Sequence, residues 1–390
     1  MKSLLIITNY FPPEKGAAAN RIGTLASSLQ RHGYDVHVVC PLANYPEGKL
    51  FEGYRGVFRK AEHFAGVRIT RLWIYPSNSK NPVKRIFSTA SFALGLFFYL
   101  LYNRLPEKVI VQSPPLLLSF ISVVALRLRR RHIILNVSDL WPSAAIELGV
   151  LKKGSISHKL LVRMERFIYR NASVILGQSE EILAHARPLS NGVRTHLYRN
   201  FPDQSPIPQW VPEKKLRVFY AGLLGVAQGV YDAVCEITLP ENVELHIFGD
   251  GAERKKIESF IAANPDKPVF YHGMLSRSDL HQRLAHLDLA FVPLKTRING
   301  SVPSKIFEYA RLGVPLLYCG GGEGEALVST HQLGWTAPAG DWAAVSVCLE
   351  EISRIPPEDW SRMRKEIAAF AAANFDPENQ LRELIAKGIF

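Results

Sequence analysis

Short unbroken apolar runs recur along this chain, and between them apolar residues return every three or four positions. Residues 3–8 form the first run; Ile22, Leu25, Ala26 and Leu29 then share one face of a helical pattern from Arg21 to His32, which Gly33 ends, and Val36–Cys40 resumes as a strand. Strand, helix and strand in this order make a βαβ unit, which requires a right-handed crossover and a parallel sheet buried on both faces. Further runs at Val67–Leu72, Val109–Gln112, Ile133–Val137 and Val174–Leu176 alternate with helical stretches at 115–129 and 157–170. The pattern predicts one doubly wound domain over residues 1–198.

Residues 199–215 carry four prolines among polar residues and read as an extended linker. The alternation then restarts. Arg217–Tyr220, Glu244–Phe248, Val269–Tyr271, Leu289–Val292 and Pro315–Leu317 are strand-like, with helices expected at 229–237, 252–263, 276–286, 304–311 and 341–354. A second Rossmann-like domain thus spans 216–375, and 376–390 is a terminal helix expected to pack back toward the first domain. The most continuous apolar segment, Ile86 to Tyr102, follows Lys80, Lys84 and Arg85 and precedes Arg104. Its length is marginal for crossing a bilayer, so it reads either as a core helix on a sheet or as a helix lying in a membrane interface.

Charge sharpens the division. The 390 residues carry a formal net charge of +12; up to His196 there are 27 Lys and Arg against 11 Asp and Glu, and 20 against 24 thereafter. A polyanionic partner would therefore meet the N-terminal half: nucleic acid, an anionic membrane surface or a phosphate-bearing substrate. Nucleic acid is disfavoured, because no aromatic-interleaved basic motif occurs and the run Arg127–Arg131 reads as the solvated end of a helix. Cys40, Cys235, Cys319 and Cys348 are scattered, with no CxxC, and read as free thiols of a reducing cytosol. The apolar run after Met1 and Lys2 is too short for a signal peptide.

Candidate chemistry sits in the loops after strands. The first loop, Asn9 to Arg21, is long and proline-bearing, unlike a dinucleotide-binding turn, but Gly16 to Ala19 leave the backbone open at a helix start, where an anion is favoured. Gly222 and Gly225 follow the first strand of the second domain and Gly249 its second, where glycines let a ligand touch backbone. The sharpest signal runs through Lys295, Ser301, Ser304, Lys305 and Glu308. A helix starting near Ser304 offers N–H groups and Lys305 to a diphosphate, with Glu308 a turn deeper to hold the vicinal hydroxyls of a ribose. Asp139, at the end of a strand-like run, could orient a reacting hydroxyl or simply cap a helix before Pro142.

Taken together, Ala221–Gly225 (AGLLG), Phe248–Gly251 (FGDG), Pro303–Tyr309 (PSKIFEY) and the Ala310–Pro315 motif AxxGVP resemble glycosyltransferase family 4 of the GT-B fold over essentially the whole chain. The segments FPPEKGAAANR, NYPEGKLFEGYRG, SDLWPSAAIELGVL and AGLLGVAQG resemble more specifically the WbuB-type transferases of N-acetyl-aminodeoxysugars, N-acetylfucosamine among them, in O-antigen or capsule assembly. The resemblance implies an α/β GT-B enzyme with two parallel sheets facing a central cleft, the first domain taking the acceptor and the second the donor. It implies retaining transfer from a UDP-sugar to an undecaprenyl-diphosphate-linked saccharide, by a peripheral protein on the cytoplasmic face of the bacterial membrane. Asp139 and Lys305 are its expected catalytic residues. Gly16, Arg21, Gly222, Gly225, Gly249, Met274, Leu275, Lys295, Ser301, Ser304, Lys305 and Glu308 are its expected donor contacts.

One departure matters. Glu308 corresponds to the second glutamate of the family's E-x7-E motif, and the first falls at Gly300. The carboxylate that helps hold the donor sugar is therefore missing, and its task passes to backbone between Asn299 and Val302. No Asp-x-Asp pair is present to chelate a diphosphate-bound metal, so no metal or cofactor is expected and cations must meet the charge. Two rival readings remain: a sugar-nucleotide epimerase of the same architecture, and a non-catalytic membrane- or nucleic-acid-binding protein on a transferase fold.

Overall fold

The computed structural model describes residues 2–14, 16–79, 81–147, 149–202 and 205–390; Met1, Lys15 and Lys80, which enter the readings above, lie outside them. The chain divides into two compact units, Met1–Arg199 with Glu378–Phe390, and Asn200–Pro377.

The first unit runs β1 (Ser3–Ile7), α1 (Ala17–Arg31), β2 (Asp35–Pro41), β3 (Arg59–Phe64), β4 (Val67–Leu72), α2 (Pro82–Tyr102), β5 (Lys108–Ser113), α3 (Leu116–Leu128), β6 (His132–Val137), α4 (Ser143–Glu147), α5 (Ile156–Asn171), β7 (Val174–Gly177), α6 (Glu180–Leu189) and β8 (Arg194–Leu197). Its strands are ordered β3-β4-β2-β1-β5-β6-β7-β8. All neighbours are parallel except the β3–β4 hairpin. The apolar runs are continuous because both faces of the sheet are covered: in β1, Leu5 and Ile7 enter one core while Leu4 and Ile6 enter the other. β3 breaks the pattern. Its sequence, RKAEHF, is polar and mostly exposed, as suits an antiparallel edge, and no apolar run announces it.

The second unit runs β9 (Leu216–Leu223), α7 (Val230–Glu236), β10 (Val243–Asp250), α8 (Arg254–Ala263), β11 (Val269–Tyr271), α9 (Arg277–Arg283), β12 (Leu289–Pro293), α10 (Ser304–Arg311), β13 (Leu316–Cys319), α11 (Gly322–Thr330), β14 (Gly334–Ala337), α12 (Trp342–Ile352) and α13 (Pro357–Asn374). Its sheet, β11-β10-β9-β12-β13-β14, is wholly parallel. The 199–215 segment holds neither helix nor strand among its described residues, and its later part is tied to the second unit: the Trp210 indole donates to Asp288 Oδ1 (2.8 Å) and the Val211 amide to the Ala285 carbonyl (2.8 Å).

The last helix, α14 (Pro377–Ala386), belongs to the first unit from Glu378 onward. Glu378 accepts from Ser28 Oγ at 2.8 Å and pairs with Arg31 at 2.5 Å, both on α1. Leu381, Leu384, Ile389 and Phe390 are buried in the same core as Leu25 and Leu29. The C-terminal end of the chain is therefore built into the first sheet's covering layer.

Candidate functional site

In the second unit, strand order reverses between β9 and β12, so helices leave toward opposite faces and the carboxyl ends of these strands form the natural place for a ligand. Gly222, next to last in β9, pairs with Gly249 on β10. A Cβ on Gly249 would stand 1.8 Å from the Gly222 carbonyl oxygen, and its φ of 143° is one that other residues rarely adopt. Glycine is what allows the two strand ends to close on each other. Two tyrosines lock the turn, Tyr220 donating to the Leu223 carbonyl (2.6 Å) and Tyr271 to that of Gly249 (2.8 Å).

α10 delivers its side chains to this turn. Its first residue is Ser304 and no side chain caps the end; the Ile306 amide donates to the Pro303 carbonyl (3.1 Å), and by helix geometry the N–H groups before it lack intrahelical acceptors. The apolar stripe Ile306, Phe307 and Ala310 is buried against the sheet, which rotates Lys305 toward β9. The Lys305 ammonium donates to the Ala221 carbonyl and lies 3.4 Å from the Tyr309 hydroxyl. Its Cε would be 2.9 Å from a Cβ on Gly222. Burial holds its pKa below the ordinary lysine value, while Glu308 pulls the other way. The structure thus joins three motifs that are far apart in sequence: the glycine turn after β9, Gly249, and the α10 start carrying Ser304, Lys305 and half-buried Glu308. A buried cation beside the first N–H groups of a helix suits an anion with several oxygens.

Other expected contacts fall less centrally. Lys295 is ion-paired with Asp232 of α7 at 2.7 Å, so its charge is already met inside the unit. Nothing in the sequence pattern pointed to Asp232. Gly225 starts the short turn before α7 and would crowd Gln228 if it carried a side chain. Met274 is exposed and Leu275 packs partly against the core that holds Ile306. Ser301 donates its amide to Ile298 (3.1 Å). Gly300 stands at φ 77°, the left-handed region, so the absence of a glutamate there comes with a backbone that disfavours one.

In the first unit the reversal lies between β1 and β5. Arg21, from α1, is buried there with both terminal nitrogens engaged, Nη1 on Gln178 Oε1 (2.7 Å) and Nη2 on Gln112 Oε1 (2.9 Å). Asn136 also donates to Gln112 Oε1 (2.9 Å), and Gln112 to Ser138 Oγ (2.6 Å). Arg21 is therefore the centre of an amide network rather than a free cation, and burial lowers its pKa. Asp139 follows that network; burial raises its pKa and Arg21 opposes the rise. Among the described residues none hydrogen-bonds the Asp139 carboxylate, and Asn9 Oδ1, Arg21 Nε and Asn136 Oδ1 are buried without a partner.

Gly16 precedes α1 with no side-chain cap. Its loop is held by Glu14, a residue that the motif reading passed over because a lone acid beside prolines carries no pattern. The buried Glu14 carboxylate accepts from the amides of Phe11 (3.2 Å), Asn44 (2.9 Å) and Tyr45 (2.9 Å), joining the loop after β1 to the loop after β2. Arg71, wholly buried, pairs with Glu62 and donates to the Pro12 carbonyl of the same loop.

Comparison with known proteins follows this division. Residues 16–200 match the glycosyl transferase 4-like domain, and residues 217–354 match glycosyl transferases group 1. The probable glycosyltransferase WbjE of Pseudomonas aeruginosa is 28% identical over 306 residues, 72% of this chain and 75% of that protein. Among solved structures, HepE of Anabaena in complex with UDP superposes with a TM-score of 0.69 at 14% identity, covering 100% of this chain and 99% of that one. WaaG, a glycosyltransferase involved in lipopolysaccharide biosynthesis, gives 0.68 at 12% identity, covering 98% and 99%.

Proposed function

This chain belongs to the family-4 type of GT-B glycosyltransferases, and from that premise we propose that it transfers a sugar from a UDP-sugar to a lipid-diphosphate-linked saccharide in cell-surface polysaccharide synthesis. The observation that carries the donor half is the meeting of Lys305 with the Gly222–Gly249 turn beneath the start of α10. Lys305 and the helix N–H groups take the diphosphate, and Glu308 takes the ribose hydroxyls. HepE, which shares the fold, was solved with UDP, and that supports a uridine nucleotide. With Gly300 in place of a carboxylate, the donor sugar is read by backbone between Asn299 and Val302, and the resemblance to transferases of aminodeoxysugars is what supports an N-acetyl-aminodeoxyhexose.

The acceptor half is proposed for the first unit. Asp139, beside Arg21, offers an acceptor to a saccharide hydroxyl, and WaaG supplies the polysaccharide context. In the reaction the bond from the anomeric carbon to the donor phosphate breaks and a bond to the acceptor oxygen forms on the same face, with retention. The departing UDP oxygen receives the acceptor's proton, and Lys305 offsets the growing charge on the diphosphate without a metal. Asp139 orients the attacking hydroxyl.

A panel of UDP-sugars incubated with lipid-linked acceptors tests this. The expected product is an acceptor heavier by one sugar, formed in the presence of a chelator and with the donor's anomeric configuration kept. Conversion of the donor into another UDP-sugar without acceptor would replace the transferase reading by an epimerase.

A further inference from the structure

Among the described residues none grips the Asp139 carboxylate directly, so its aim is set by the backbone that carries it. Asp139 follows Ser138, the first residue beyond β6. Ser138 is held on several sides. Its amide donates to the Ser113 carbonyl at the end of β5 (2.9 Å), and its hydroxyl donates to the same carbonyl (3.1 Å) while accepting from Gln112 Nε2 (2.6 Å). Its own carbonyl accepts from Gln178 Nε2. Gln112 lies on β5 and Gln178 directly follows β7, so the two amides reach Ser138 from the strands on either side of β6.

A side-chain amide presents an oxygen and an NH2 of nearly equal size, and shape alone would let either glutamine turn round. Arg21 removes the choice. A guanidinium only donates, and its two terminal nitrogens meet Gln178 Oε1 (2.7 Å) and Gln112 Oε1 (2.9 Å). Both oxygens must therefore face α1, and both NH2 groups are left to Ser138. Asn136 of β6 donates to the same Gln112 oxygen (2.9 Å) and reinforces the arrangement.

The charge of Arg21 is placed with equal care. Arg71, also buried in this unit, has Glu62 in contact; a cation kept for the fold alone is least costly to bury in that way. Arg21 hydrogen-bonds neutral amides instead, and the titratable groups that act on it are Asp139 and the Tyr198 hydroxyl. Arg199 approaches the same network through the Gln178 carbonyl (3.5 Å). Burial pushes the Asp139 carboxyl up, and Arg21 is the charged group that holds it down.

We propose that Arg21, expected from the sequence to touch the donor, is instead a positioning residue: by fixing both glutamine amides it aims the Ser138–Asp139 backbone, with its charge beside the carboxylate that meets the attacking hydroxyl. The inference rests on the part given to Asp139 in transfer.

Kinetics of Arg21→Lys, Arg21→Met and Ser138→Ala, together with a 13C titration of labelled aspartate carboxyls, test it. Arg21→Lys keeps the charge without the fork and Ser138→Ala removes one of the two grips; each should lower kcat about 10- to 100-fold and leave KM for the UDP-sugar unchanged, because the donor is held by the second unit. Arg21→Met removes the charge as well, so the acid limb of its kcat/KM profile should move to higher pH, and Arg21→Lys should return that limb toward the parent's without restoring kcat. The 13C signal missing from Asp139→Asn belongs to Asp139; its midpoint should rise in Arg21→Met and stay near the parent's in Arg21→Lys and Ser138→Ala. A residue that only supports the fold would lower Tm and move neither the midpoint nor the split between kcat and KM. An unmoved midpoint in Arg21→Met, or parental kcat in Arg21→Lys and Ser138→Ala, would overturn the proposal. Should Arg21→Met fail to fold, Arg21→Lys and Ser138→Ala decide by the same split of kcat and KM. A midpoint that moves as expected in a parent protein that transfers no sugar upholds the grip of Arg21 on Asp139 and overturns the transferase reading instead.

Discussion

Replacing Lys305 by methionine separates what this side chain does for the fold from what it does for a ligand. The ammonium has three donors, of which one is spent on the Ala221 carbonyl, while the Tyr309 hydroxyl at 3.4 Å is a long contact. At least one N–H is left for a phosphate oxygen. A charge-assisted hydrogen bond of this kind contributes about 1.5–3 kcal/mol, so Lys305→Met should weaken UDP binding about 10- to 150-fold. The unliganded protein should respond in the opposite sense. Burial depresses the folded-state pKa of Lys305, so between that value and the ordinary lysine pKa the unfolded chain binds more protons and stability rises with pH. At neutral pH the charge therefore costs stability, and methionine, of similar shape, removes the cost. Titration calorimetry with UDP and thermal melts at neutral and alkaline pH measure the two effects. The expected result is a Tm at or above the parent's, a flatter rise of Tm toward alkaline pH, and the loss of affinity. Unchanged UDP affinity together with a lower Tm would show Lys305 to be a structural residue and would remove the donor site from α10.

Further outcomes follow from neighbouring residues. Glu308→Ala should weaken UDP by a further about 10- to 100-fold, and should affect 2′-deoxy-UDP less than UDP, because the lost contact is to the ribose; equal losses for both nucleotides would refute the assignment. Gly249→Ala meets the Gly222 carbonyl and an unsuitable φ, and should destabilise the second unit by at least about 2 kcal/mol in denaturant melts. Gly300→Glu should fail to improve transfer and should cost about 1–2 kcal/mol, since φ 77° disfavours a side chain; a gain in activity would show that the loop accepts the carboxylate. In the native protein at mildly alkaline pH, an alkylating reagent should label Cys235 and Cys348 well before Cys40 and Cys319, whose thiols are buried and pushed up to about 12 and about 11; mass mapping of the labelled peptides checks this order.

What the sequence determined by itself is the part governed by local periodicity. Runs such as Leu4–Ile7 and Leu289–Val292 read as strands because a parallel sheet covered on both faces tolerates no polar alternation, and Ser304–Arg311 read as a helix from its stripe alone. Three of the elements that escaped lack that signal. β3 is a polar edge held by its partner β4, β14 (GWTA) is short and only half-buried, and the buried stripe of α13, Trp360, Ile367, Ala368 and Ala371, is interrupted by Arg364. The site divides in the same way. Glycines after strands and a Ser–Lys–x–x–Glu helix start were legible, because backbone approach and anion binding need those residue types at those spacings. Partnership was not legible. That Lys305 reaches the Ala221 carbonyl, that Asp232 neutralises Lys295, that Gln112 and Gln178 hold Arg21, and that Glu14 ties two loops together all depend on which strand ends lie side by side. Those neighbours are brought together by crossover connections across up to 157 residues. A periodicity of two or 3.6 residues carries no information at that range, and only the packed sheets supply it.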